Sequence, residues 1–312
     1  MEVILNPAII LFLTGIAIGQ IFKDTLPQFL SKYLGYYLLV SLGLKGGISL
    51  RENGFTSEVT NVLSLGVFFA LLIPLIAYIY LKNILEIDDA AALSGTYGSV
   101  SAITFVTAIT YLYSSSQEFD NFMSAVLVVM EFPAIFMALY LVTKNKNKIQ
   151  NNYETIKKAF LEIPNILLIT SLLVGIIFQN QIIGNIDFFI VTVFDYVLYL
   201  FLFVMGTRVA RRLSEIKEKG LNLILFALVT PLIGSILALF ASNVFSLTVG
   251  NATLLMVLTA SASYIAVPAV VKDAIPNANP AIYLGLSLGV TFPFNIIIGI
   301  PLYNELAKYF IG

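Results

Sequence analysis

The 312-residue chain contains no histidine and no cysteine. The first absence removes imidazole metal sites, Ser-His and Cys-His catalytic pairs and histidine proton relays. The second removes disulfides, thiolate chemistry and cysteine-zinc sites, and leaves the redox compartment open. Charge is also scarce: 11% of residues are charged and 59% are hydrophobic, against roughly 25% and 45–50% in soluble domains. The formal net charge is −1, and no Arg/Lys pattern with interleaved aromatics points to nucleic acid. What remains is apolar sequence in long runs, the composition of a polytopic membrane protein. No Lys or Arg precedes Lys23 and no A-x-A site follows the first run, so that run reads as a membrane helix and not a cleaved leader.

Spans of about 20 apolar residues cross a bilayer. They predict ten segments, near 4–22, 28–46, 59–81, 89–113, 120–143, 163–180, 186–207, 221–243, 251–273 and 281–309. The polar stretch Lys144 to Glu162 separates the fifth from the sixth. With the N-terminus outside, 14 of the 17 lysines and arginines fall in cytoplasmic loops and only Lys45, Arg51 and Lys308 lie outside. The positive-inside rule therefore places both termini outside a plasma (inner) membrane.

An internal repeat runs through the segments. Pro7 answers Pro164 and Pro74-Leu-Ile answers Pro231-Leu-Ile, both at a shift of 157. Gly43-Leu-Lys45 matches Gly206-Thr-Arg208, Leu93 to Thr96 matches Leu258 to Ser261, and Phe132-Pro133 matches Phe292-Pro293. Five spans per repeat is odd, so the halves enter the membrane in opposite directions, the inverted-repeat plan of secondary transporters. The expected fold is thus an all-α polytopic membrane protein of ten transmembrane helices in a 5+5 inverted repeat. Residues 1–143 form one repeat, 144–162 a cytoplasmic connector and 163–312 the second repeat.

Two segments carry the chemistry. The fourth contains Ser94 to Thr104, SGTYGSVSAIT, and the ninth contains Thr259 to Pro268, TASASYIAVP. Glycine weakens a helix, and Ser and Thr offer its backbone rival hydrogen bonds. Broken helices at membrane depth, in matching places of two halves, mark a transporter's binding site; small residues that let helices pack closely are the competing explanation. Half-helix N-termini suit a small anion. Candidate substrate ligands are Thr96, Gly98, Ser99, Ser101, Thr104, Thr259, Ser261 and Ser263. No Arg or Lys lies in either stretch, which favours a singly charged anion held by dipoles and hydroxyls. Among intramembrane charges, Glu131 stands before Phe132-Pro133, whose proline frees a carbonyl one turn earlier. Glu131 with Ser261, Thr291 and Asn295 is the candidate sodium set, with a helix-capping role for Glu131 the alternative. Asp195 is expected to pair with Lys45 or Arg208, and both of those to snorkel at segment ends.

These residues resemble the SbtA-type sodium-dependent bicarbonate permeases over nearly the whole chain. The likeness is carried by Leu44-Lys-Gly-Gly-Ile, Gly98-Ser-Val-Ser, Met130-Glu-Phe-Pro-Ala, Ile275-Pro-Asn-Ala-Asn-Pro-Ala-Ile-Tyr-Leu-Gly, Pro293 and Ile300-Pro-Leu. The resemblance implies a core domain moving against a gate domain, bicarbonate held where two broken helices cross, sodium alongside, a homotrimer and a cytoplasmic PII-like regulator. The chain differs in having Ser261-Ala-Ser-Tyr264 where the family tends to read Ser-Ser-Ser-Asp, Ala102-Ile-Thr104 for Gly-Ser-Thr, and Glu131 for Asp. The connector is also shorter than the cyanobacterial one. The expected function is a sodium-coupled symporter for bicarbonate or a similar small monoanion, with no cofactor beyond the coupling ion. A carrier of small monocarboxylates and a passive anion channel are the alternatives. An intramembrane hydrolase would need an acid pair or a nucleophile with its base, so the chain is read as no enzyme.

Overall fold

A computed structural model describes residues 7–22, 26–146, 157, 161–178, 188–216 and 220–312. The predicted connector 144–162 lies outside the described residues except at 144–146, 157, 161 and 162. Every described element is a helix, as hydrocarbon demands of a backbone that must satisfy its own hydrogen bonds. The helices are α1 (Pro7–Ile21), α2 (Gln28–Asn53), α3 (Ser57–Leu81), α4 (Ile87–Gly98), α5 (Ala102–Ser114), α6 (Met123–Lys146) and α7 (Ile163–Ile177). They continue with α8 (Val193–Ile216), α9 (Leu221–Val244), α10 (Val249–Ala260), α11 (Ala266–Ala274) and α12 (Pro280–Ile311). Among the described residues, six helical runs are long and apolar enough to cross a membrane, and α1, α7 and α10 are shorter apolar helices. Large side chains such as Phe68, Phe136, Leu200 and Phe240 stay exposed, which only a hydrocarbon surround makes favourable.

The helices sort into two packed groups. In the first, α1 lies along α8 and α2 along α7, with α8 also touching α2. The crossings are glycine contacts: a Cβ on Gly15 would strike Phe203 and Gly206, and one on Gly206 would strike Phe12 and Gly15. Gly47 and Gly175 stand in the same relation, each meeting the other's backbone. Without a hydrophobic drive between helices in lipid, such close backbone approach supplies the attraction.

The second group joins α3 to α4 and α6, and α9 and α12 to α10. Loops after the two interrupted helices tie back to helix starts. Asp120 N–H donates to Asn251 Oδ1 at 2.9 Å, and Asn279 N–H donates to Asp89 Oδ1 at 2.6 Å. Asn251 Nδ2 also donates to Glu58 (3.2 Å) and Asp120 Oδ2 (2.7 Å), which joins the starts of α3 and α10. Asn251→Ala strands these acceptors and the Asp120 N–H; the expected loss is about 2 kcal/mol or more, read as a lower unfolding temperature of the purified protein.

Proline chemistry in α9 positions α12. Pro231 has no N–H to give the Ala227 carbonyl, and Thr291 Oγ1 supplies that donor at 2.7 Å. The π turns Ser287–Thr291 and Asn295–Gly299 flank Pro293, and both Thr291 and Asn295 are buried. Wide turns of this kind re-aim side chains without ending a helix.

Candidate substrate site

The fourth and ninth segments are each interrupted. Helix α4 runs through Gly98 and stops where Ser99 turns extended (φ −91°, ψ 173°); α5 restarts at Ala102 with Ser101 as its N-cap. Helix α10 stops at Ala260 with Ser261 extended (φ −86°, ψ 165°), and α11 restarts at Ala266. Ser101 Oγ accepts from Thr104 N–H at 3.2 Å and Ser263 Oγ from Val267 N–H at 3.2 Å. Each serine hydroxyl thereby satisfies a donor that a helix start leaves free.

The two breaks meet. Ser101 N–H donates to Ser261 Oγ at 2.9 Å, and Ser263 N–H donates to the Thr96 carbonyl at 2.8 Å. Each interruption therefore satisfies backbone that the other exposes, and the residues involved are buried. Glu131 on α6 secures the first break: its Oε2 accepts from Ser99 Oγ at 2.9 Å, and its carboxylate also takes the Val100 N–H. Asn295 secures the second, donating from Nδ2 to the Ala260 carbonyl at 2.8 Å while its Oδ1 accepts from Tyr303 at 2.9 Å. Thr291 Oγ1 spends its one proton on Ala227, so in its 2.5 Å contact with Tyr97 the phenol must donate.

A cavity of about 610 Å³ lies against the crossing, between the two helix groups. Its wall comprises Phe29 to Leu39 positions of α2, the start of α7 at Glu162 to Leu168, Phe201, Met205 and Arg208 of α8, then Val100 to Ile103, Glu131 and Ser263 to Ile265. Of the substrate candidates, Ser101 and Ser263 line it, and of the sodium candidates, Glu131 does. The others sit behind the wall. Thr96 gives its carbonyl to Ser263, Ser99 its hydroxyl to Glu131, Thr104 both donors to Ser101, and Ser261 its Oγ to Ser101 N–H and Leu258 O. Thr259 Oγ1 reaches Gly234 O across to α9 at 3.1 Å. Gly98 is still helical, and a Cβ there would come within 2.5 Å of Pro74 Cγ; its smallness serves the contact of α4 with α3.

Three lining residues lie outside the interrupted stretches' predicted ligands. Arg208 was expected to snorkel, yet it is half-buried in the cavity wall near Tyr264. Tyr264 is buried edge-on against Phe292, ring centroids 5.2 Å apart. Lys32 adds a second cation to the cavity wall. The alignment of Gly206-Thr-Arg208 with Gly43-Leu-Lys45 is the one sequence signal that singled out Arg208. Asp195 acts electrostatically with Lys45, whose ammonium also sits 4.2 Å from the Phe194 ring centroid. Among the described residues no group of three or more His, Cys, Asp or Glu side chains clusters to hold a metal.

Interrupted helices that meet beside a cavity, in an all-helical apolar chain, are an arrangement found in membrane transporters. The model of the Na+-dependent bicarbonate transporter superfamily matches residues 4–308, and the chain belongs to that superfamily. No curated protein matches it.

Proposed function

We propose that the chain is a sodium-coupled symporter that takes up bicarbonate, or a similar small monoanion, by alternating access. The observation that carries this reading is the mutual bonding of the two breaks, Ser101 to Ser261 and Ser263 to Thr96, on the wall of a cavity that also holds Arg208. Membership of a sodium-dependent bicarbonate transporter superfamily supplies the cargo and the ion.

A ten-span 5+5 inverted repeat accounts for the reciprocity of the contacts. The first span of one half packs on the second of the other, in both senses (α1 on α8, α7 on α2). The Asp120–Asn251 and Asn279–Asp89 ties repeat that exchange at the ends of the broken spans. In this reading α1, α2, α7 and α8 form the gate, and α3 to α6 with α9 to α12 form the moving core. The cavity on this reading faces the cytoplasm, since its wall carries Lys32 and Arg208, which the positive-inside rule assigns to that side. The conformation is then inward-open, with both termini outside the plasma membrane.

Ser101 and Ser263 offer hydroxyl protons to the anion, with the α5 and α11 N-termini behind them. Glu131 supplies the charge for sodium. Thr96, Gly98, Ser99, Thr104, Thr259, Ser261, Thr291 and Asn295 hold the crossing in shape around them. In proteoliposomes, labelled bicarbonate counterflow is expected to rise severalfold when sodium is added. Uptake indifferent to sodium would refute the coupling. Competition by acetate or pyruvate would move the cargo to a monocarboxylate, and flux with no accumulation against a gradient would make the protein a channel.

A further inference from the structure

Three consecutive residues of α2 face three different partners. The Lys45 ammonium sits 4.2 Å from the Phe194 ring centroid of α8. Gly47 meets the backbone of α7, where a Cβ would come within 2.9 Å of Ile176 N and 3.0 Å of Gly175 Cα. Gly46, between them, faces out of the first helix group altogether. A Cβ at Gly46 would lie 2.9 Å from Ser124 Cβ and 3.3 Å from Ala125 N, both on α6. Successive helical residues are about 100° apart around the axis. The paired glycines therefore serve two crossings, one inside the first group and one between the groups.

The crossing between the groups stands next to the cavity. Along α2 the lining ends at Leu39, and along α6, which runs the other way, it ends at Leu127. Gly46 follows Leu39 by seven residues and Ser124 precedes Leu127 by three, about two turns and one turn along the same helix faces. Gly46 and Ser124 are both buried. Ser124 is the second residue of α6, so one turn of helix separates the lining from the preceding loop. That loop is pinned to the second group, because Asp120 N–H donates to Asn251 Oδ1 at 2.9 Å.

We propose that the contact of Gly46 with Ser124 is the outer barrier of the transport path, a seal about one helical turn deep that parts when the second helix group moves. The seal rests on the cavity being that path and on the orientation given above. Glycine at position 46 lets α2 close on α6 with no side chain between them. Ser124 Cβ against glycine backbone gains dispersion only, and such contacts are individually small. That suits a barrier which must open in every cycle.

The chain's lack of cysteine allows the seal to be locked. The full chain carrying Gly46→Cys and Ser124→Cys is reconstituted in proteoliposomes and oxidised with copper phenanthroline. The 2.9 Å spacing is within about an ångström of the Cβ separation of a disulfide, so both free thiols should disappear. Bicarbonate exchange is expected to fall about tenfold or more on oxidation and to return with dithiothreitol. Cross-linked protein that exchanges as fast as the reduced form would overturn the seal, and so would thiols that never join. A second measurement needs no cargo. In intact cells, Gly46→Ala is expected to raise severalfold the rate at which an external, membrane-impermeant maleimide labels Ala102→Cys on the cavity wall. Gly47→Ala strikes α7 instead, and should lower the unfolding temperature without speeding the labelling. Labelling no faster with Gly46→Ala than without it would overturn the seal. Labelling that follows the seal in a chain that exchanges no bicarbonate would instead strike down the cargo proposed above and leave the barrier standing.

Discussion

Glu131→Gln is expected to cut sodium-driven uptake by about 100-fold, the equivalent of roughly 3 kcal/mol lost at one buried charge-assisted contact. The amide keeps the shape of the carboxylate. Its carbonyl oxygen can still accept from Ser99 Oγ, which lies 2.9 Å from Oε2 in the native chain. The break at Ser99 to Ser101 therefore survives, and the unfolding temperature should move little. What disappears is the negative charge, which in a membrane interior must be balanced by a cation or a donor array. Sodium dependence is the readout: the half-saturating sodium concentration should rise along with the fall in rate. A variant with native uptake and native sodium response would reduce Glu131 to a cap on the α4 break, the alternative its hydrogen bonds equally permit.

Gly206→Leu is expected to have the largest effect on the fold. A Cβ at this position would run into the Phe12 carbonyl, with Ile16 N at 2.9 Å. Every neighbour is backbone, so nothing can rotate aside, and α1 must separate from α8 along their whole contact. Overpacking of ordinary side chains costs about 1–3 kcal/mol, and a backbone obstacle places this case at or above the upper end. Loss of a monodisperse peak in size-exclusion chromatography, or a fall of many degrees in unfolding temperature, is the expected result. Gly285→Ala is the control: it lies in α12 with open space around its Cβ position and should be silent. If Gly206→Leu behaves like Gly285→Ala, the glycine crossings do not hold the first helix group together.

Much of this arrangement was legible in the chain. The apolar runs, the matched prolines and the hydroxyl-rich stretches predict interrupted fourth and ninth segments, and α4/α5 and α10/α11 are interrupted there. The position within each stretch was not legible. Sequence marks Ser94 to Thr104 as a whole, but the helix persists to Gly98 because Gly95 packs on Ala138 and Gly98 on Pro74. A small residue reads the same whether it bends a backbone or admits a neighbour. Arg208 escaped for another reason: its position at the end of an apolar run is that of a snorkelling cation, and only the packing of α8 beside the crossing turns it inward. Tyr264 looked like the loss of an acid, whereas the structure buries its ring edge-on against Phe292.

The reciprocal stitching of the crossing also bears on how such a chain is made. Ser101 N–H has its acceptor in Ser261, and the Thr96 carbonyl has its donor in Ser263, some 160 residues further along the sequence. A nascent chain delivered to the bilayer from its N-terminus holds those groups unsatisfied until the second half arrives. The translocation machinery or trapped water must shelter them meanwhile, and the crossing is complete only once Ser261 and Ser263 are in place.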